Sequence, residues 1–216
     1  MNITERKLVQ INVDVQNDFC PGGALPVDYG DEVVAPLNRL ASVVREEGGR
    51  VIATRDFHPA ETSHFGDGEN QWPVHCVAGT EGAEFHPELA VALEDSLLIK
   101  GTEPDEDAYS GFDGHDEENE DLTLADIITQ PGEVRDVSVF IGGLATDYCV
   151  RATVLDALEM QKKTKNRMAV YALTDAMRAV DIEPGKGDQA IEEMKAKGAI
   201  LTTTDEVIRR IRRGEL

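Results

Sequence analysis

The chain has 216 residues, 41% of them hydrophobic, and carries a formal net charge of −21. That length suits one domain able to bury its own core without covalent staples. So acidic a chain disfavours nucleic acid and anionic membranes as partners, because both are held by clustered Lys and Arg.

No run approaches the ~18 apolar residues that identify a membrane-spanning helix. The opening MNITERKLVQINVDVQ lacks the charged, apolar and small-residue sections of a signal peptide. A cytoplasmic protein, monomeric or homo-oligomeric, is the expectation. Three cysteines, Cys20, Cys76 and Cys149, are too few and too scattered for a disulfide framework, and none forms a CxxC pair.

VQINVDVQ (Val9–Gln16) is the first β-branched run and reads as a strand. VVAPLNRLASVVREEGG then places apolar residues at helical spacing before a glycine stop. RVIATRD (Arg50–Asp56) reads as a second strand. The next segment, residues 57–88, is rich in Gly, Pro and His and has no clear period. A loop of that length in a compact domain is usually functional. LLIK (Leu97–Lys100) is a third strand.

EPDEDAYSGFDGHDEENED (Glu103–Asp121) holds no Lys or Arg and reads as a solvated loop. The wider acidity also fits adaptation to high salt, where screening removes self-repulsion. LTLADIIT is helical, DVSVFIGG (Asp136–Gly143) a strand and DYCVRATVLDALEM a helix. MAVYALT (Met168–Thr174), DQAIEEMKAKG, AILTTT (Ala199–Thr204) and DEVIRRIRR complete the alternation. It predicts a single α/β domain over residues 1–216, with three layers, α/β/α, around a mostly parallel sheet of about six strands.

Open sheets of this kind bind ligands beyond the carboxyl ends of their strands. At those exits stand Asp14, Asp56 with His58, Lys100 and the turn GGLATDYC. Asp56, His58, His64 and His75 fall within RDFHPAETSHFGDGENQWPVHC. One carboxylate and three imidazoles suit a divalent ion, Zn first, with Fe or Mn also compatible. His86, His115, Cys20 and Cys76 read as ordinary surface or packing residues.

Cys149 follows Thr146 and Asp147, either of which could cap the helix that Val150, Val154 and Leu158 continue. The first turn of a helix favours a thiolate, and its N–H groups can hold an oxyanion. Asp14 could take the thiol proton and Lys100 could orient that carboxylate. The alternative is a buried packing cysteine beside an Asp14–Lys100 pair.

These residues resemble the isochorismatase-like cysteine hydrolases, and within them the nicotinamidase/pyrazinamidase group. The resemblance runs through DVQNDFCPGGAL, RDFHP, WPVHCVAGTEGAEFHP, IKGT, AYSGF and GGLATDYCVRATVLDAL, which is most of the chain. It implies a Rossmann-like sheet and a catalytic triad of Asp14, Lys100 and Cys149. It also implies one divalent metal on Asp56, His58, His64 and His75. A cis peptide is implied at Leu144–Ala145, with the backbone N–H groups of Ala145 and Cys149 as the oxyanion hole. Phe19, Trp72, Tyr109 and Leu144 match positions at the family's substrate pocket. The acidic TEPDEDA before Tyr109 departs from some members.

The implied reaction is hydrolysis of nicotinamide to nicotinate and ammonia, a step of NAD salvage, with pyrazinamide as a second substrate. A related amidohydrolase acting on a carbamoyl or ureido substrate is the alternative. A non-catalytic metal-stabilised binding protein is a further one, disfavoured by retention of all three triad positions.

Overall fold

The computed structural model describes residues 6–66, 68, 71–105, 107–129, 136–165 and 167–216. The first five residues of the N-terminal reading, residues 67, 69 and 70 of the long loop, and Glu106 of the acidic run lie outside them.

Among the described residues, seven strands form one sheet. They are β1 (Arg6–Val13), β2 (Arg50–Asp56), β3 (Ser96–Lys100), β4 (His115–Asp116), β5 (Asp136–Leu144), β6 (Arg167–Arg178) and β7 (Ile200–Thr202). Their order is β4-β3-β2-β1-β5-β6-β7, and only β3 with β4 is antiparallel. All six expected strands are present. The seventh, β4, has two residues, too few to show a period of two, and sits inside the acidic run that reads as loop. β1 begins and ends three residues earlier than its β-branched pattern predicts, which leaves Asp14 just beyond the strand.

Helices α1 (Val34–Glu46) and α5 (Thr204–Arg212) cover one face. There Leu37, Leu40, Val44, Val207 and Ile211 pack with Leu8, Phe140 and Tyr171. On the other face lie α2 (Leu124–Thr129), α3 (Arg151–Lys163) and α4 (Lys186–Lys197). Their Leu124, Ile127, Val154, Leu158 and Met194 pack with Val9, Ile11, Val139 and Val170. Burying each such leucine, isoleucine or valine contributes about 1.5–3 kcal/mol. Alternation along β5 divides the layers: Val137, Val139 and Ile141 face one, Phe140 and Leu144 the other.

Local signals place the helix ends. α1 stops before Gly48, which takes φ of 71°. α5 starts where the Thr203 hydroxyl accepts the N–H of Glu206. Buried Lys7 donates to the carbonyls of Ile127 and Ile128 at 2.7 and 3.1 Å, at the end of α2 where a cation suits the dipole. No helix among the described residues is long and apolar enough to cross a membrane.

The order reverses between β1 and β5, since the chain runs outward to β4 on one side and to β7 on the other. A crevice opens beyond strand ends at such a switch.

Candidate active site

Sheet register assembles the centre. Val13 pairs with Gly143 on one side and Thr54 on the other, and Asp56 pairs with Lys100. The exits of β1, β2, β3 and β5 therefore lie side by side. Past Val13 the chain turns with φ of 49° at Asp14, whose carboxylate is completely buried. Thr54 Oγ1 donates to Asp14 Oδ1 at 2.7 Å. Gly143, with φ of 128°, makes this approach possible, since a Cβ there would lie 2.0 Å from the Val13 carbonyl oxygen.

Lys100 is buried among acceptors. Its ammonium donates to Asp56 Oδ1 and, at 2.9 Å, to the carbonyl of Ala108. It lies 3.0 Å from Asp14 Oδ2 and 3.6 Å from Cys149 Sγ. A carboxylate oxygen of Asp14, one of Asp56 and Cys149 Sγ all lie within 4.8 Å of one another. The three groups expected to act together do meet, and Cys149 faces them rather than sitting apart as a packing residue.

Burial is the largest influence on the Asp14 pKa and raises it, Asp56 adds to the rise, Lys100 and Thr54 oppose it, and the net direction is upward. At Asp56 burial acts the same way, but the Lys100 ammonium leads the opposing influences, and that carboxyl is held well below the usual range. Burial alone would lower the Lys100 pKa; the carboxylates of Asp14 and Asp56 reverse this and raise it strongly. Cys149 is pushed well up by burial, against Lys100, with both carboxylates adding to the rise. Desolvation and the negative neighbours favour the protonated thiol, which agrees with the expected need for a base to take its proton.

Neither Thr146 nor Asp147 caps the helix. Residues 146–150 form a wide turn closed by Val150 N–H to Ala145 carbonyl at 3.1 Å, and it runs straight into α3. The Asp147 carboxylate turns away and accepts the N–H groups of Val180 and Asp181, both at 2.9 Å. The Leu144–Ala145 peptide is cis. Leu144 does not line the cleft. Its side chain follows the β5 alternation into the α1 layer, 3.3 Å from where a Cβ on Gly30 would stand.

Beside this group lie His58, His64 and His75, all buried, with one nitrogen from each within 4.8 Å of the others. Each ring is held through Nδ1: His58 by the Gly101 carbonyl at 3.0 Å, His75 by the Pro73 carbonyl at 2.7 Å, and His64 by the Asp107 carboxylate. An acceptor at Nδ1 makes that nitrogen the N–H and leaves the Nε2 lone pair exposed. His58 Nε2 is buried with no hydrogen-bond partner and lies 3.7 Å from Asp56 Oδ2. A divalent cation would satisfy this orphaned acceptor, and three imidazoles with a carboxylate are a fitting donor set. Burial lowers the His75 pKa, which keeps its lone pair available.

The cleft between the two groups is walled by Phe19, Trp72, Tyr109, Tyr148, Leu25 and Val180, with Ala145 and Cys149 also lining it. Trp72 Nε1 donates to the Tyr109 hydroxyl at 3.1 Å, and Trp72 meets Tyr148 edge-on at 4.9 Å. His86 and His115 lie outside the cleft lining, as do Cys20 and Cys76. Cys20 is pushed up to about 11 by burial and by Asp31.

Sequence reasoning missed Gln16, Asp107 and Tyr148. The buried Gln16 amide donates to the Asp56 carbonyl at 2.9 Å and accepts the Asp56 N–H at 2.8 Å, clamping both backbone groups of that residue. No spacing rule reveals such a clamp.

Residues 9–206 match the isochorismatase domain family. The nicotinamidase of Escherichia coli is 40% identical over 206 residues, covering 88% of this chain and 92% of that protein. The nicotinamidase/pyrazinamidase of Mycobacterium tuberculosis is 40% identical over 191 residues, covering 86% and 92%. Among solved structures, the pyrazinamidase of Pyrococcus horikoshii in complex with zinc superposes with a TM-score of 0.75 at 39% identity, covering 91% of this chain and 99% of that one. The chain belongs to the isochorismatase family, in its nicotinamidase/pyrazinamidase group.

Proposed function

We propose that this chain hydrolyses nicotinamide to nicotinate and ammonia, and pyrazinamide likewise, through a thioester on Cys149. The observation that carries the reading is the meeting of Asp14, Lys100 and Cys149 at adjacent strand exits beside three histidines with open Nε2 atoms. Relatives named as nicotinamidases support it.

Asp14 takes the thiol proton as sulfur attacks the amide carbon, and the carbonyl oxygen becomes an oxyanion held by the N–H groups of Ala145 and Cys149. One such donor is worth about 2.7–4 kcal/mol in other enzymes. The intermediate collapses by breaking the C–N bond, and Asp14 returns the proton to the departing nitrogen, which leaves as ammonia. Water then attacks the thioester while Asp14 accepts its proton. The C–S bond breaks, and the sulfur regains a proton. Lys100 keeps Asp14 in place and offsets the charge that forms around it. Phe19, Trp72 and Tyr109 position the ring and exclude solvent.

Asp56, His58, His64 and His75 would hold one divalent metal, zinc by preference. When bound it supplies a Lewis-acidic anchor for a ring nitrogen of the substrate. We place the reaction in the cytoplasm, in the salvage of pyridine nucleotides.

Ammonia release from nicotinamide, measured beside N-carbamoyl compounds, tests the substrate. Consumption of nicotinamide and pyrazinamide alone is expected. Preference for the N-carbamoyl compounds would transfer the chain to the carbamoyl amidohydrolases.

A further inference from the structure

Asp107, Ala108 and Tyr109 are consecutive in the acidic segment, and each meets a different part of the site. The Asp107 carboxylate holds His64 Nδ1, the Ala108 carbonyl accepts from Lys100 at 2.9 Å, and the Tyr109 hydroxyl accepts from Trp72. A stretch that reads as solvated surface is thus built into the centre.

The three histidines are not held alike. His58 and His75 lean on backbone carbonyls, of Gly101 and Pro73, which no side-chain change removes. His64 alone among them leans on a side chain, and it stands on a loop outside any strand or helix. That loop is also fastened to the acidic segment at the Pro104 carbonyl. It accepts from Ser63 N–H at 2.9 Å and from the Thr62 hydroxyl at 2.8 Å. Backbone contacts therefore fix where the loop lies, and Asp107 fixes which way the imidazole faces.

We propose that Asp107 is the positioning residue of the metal centre, holding His64 in the tautomer and orientation that offers Nε2 to the ion. The proposal rests on the reading of the histidine cluster as a metal site. Asp107 leaves 46% of its side chain exposed, so its bare charge is screened and its effect comes through the directed hydrogen bond. Carboxylate partners of this kind both orient a ligating histidine and raise its basicity.

Competition between full-length, metal-stripped protein and a chromogenic chelator for Zn²⁺ tests this. Asp107→Ala should weaken Zn²⁺ binding about 10- to 100-fold. Asp107→Asn should recover part of the loss, since its amide oxygen still accepts from Nδ1. Asp105→Ala removes a charge from the same loop at an exposed position and should leave the affinity unchanged. Thermal unfolding of the metal-free proteins should coincide. Wild-type affinity in Asp107→Ala, or an equal loss in Asp105→Ala, overturns the proposal while the metal reading stands. A wild-type protein that takes up no Zn²⁺ overturns the metal reading, and this proposal with it.

Discussion

Lys100 Nζ lies 3.0 Å from Asp14 Oδ2, and both side chains are closed off from solvent. Oδ2 has no hydrogen-bond partner, so it is held by charge and keeps a lone pair for a proton. One ammonium thus steadies the base without occupying it.

The same burial makes the lysine structural. Lys100→Ala would leave Asp14 and Asp56 as two enclosed carboxylates with no cation between them. Removing one partner of a buried ion pair typically costs about 3–5 kcal/mol. Urea unfolding should show a loss of that size together with loss of turnover. Unchanged stability in this variant would contradict the ion-pair geometry.

Asp14 sets the sign of the acid limb. The base must be ionised, and burial places its pKa above that of an ordinary aspartate. Activity should therefore decline as pH falls, beginning at a higher pH than a solvent-exposed aspartate would give. Thr54 donates to the ionised carboxylate and opposes that rise. Thr54→Val should move the acid limb of kcat/KM upward by about one pH unit or more. A limb that stays in place would show that another group governs it.

Gly101 carries φ of 66°, and a Cβ there would stand 2.5 Å from the His58 ring. Gly101→Ala should displace the imidazole and lower the metal retained after dialysis. Gly79→Ala is the matched control, because φ is 77° there with nothing within 4 Å of the added carbon. Both variants carry about 1–3 kcal/mol of backbone strain. Only the first should lose metal, and equal losses would point to strain as the cause.

A net charge of −21 should make stability depend on salt. Self-repulsion is screened within a Debye length of about 10 Å at moderate ionic strength and about 3 Å near 1 M. The thermal midpoint should rise as NaCl is taken from low to molar concentration. A midpoint that falls across that range would exclude net repulsion as a destabilising factor.

Much of the centre was legible because topology converts sequence into place. A β-branched run with Asp or Lys at or near its end predicts a functional group at a sheet exit, and Asp14, Asp56 and Lys100 all stand there. The histidines were legible as a group through crowding in one long loop. What local pattern could not show was how loops meet. The Asp107 contact with His64 joins residues 43 apart, and nothing in an acidic run singles out one carboxylate. The direction of the Leu144 side chain was set by strand alternation, which sends it into the α1 layer. For Cys149 the helix position was visible, but its burial beside two carboxylates was not.

Acid-quenched single-turnover mass spectrometry of the metal-loaded protein with nicotinamide tests the central chemistry most directly. A transient nicotinoyl group on the peptide containing Cys149, absent in Cys149→Ala together with all turnover, is the expected result. Nicotinate formation with Cys149 unmodified throughout, or persisting in Cys149→Ala, would contradict it.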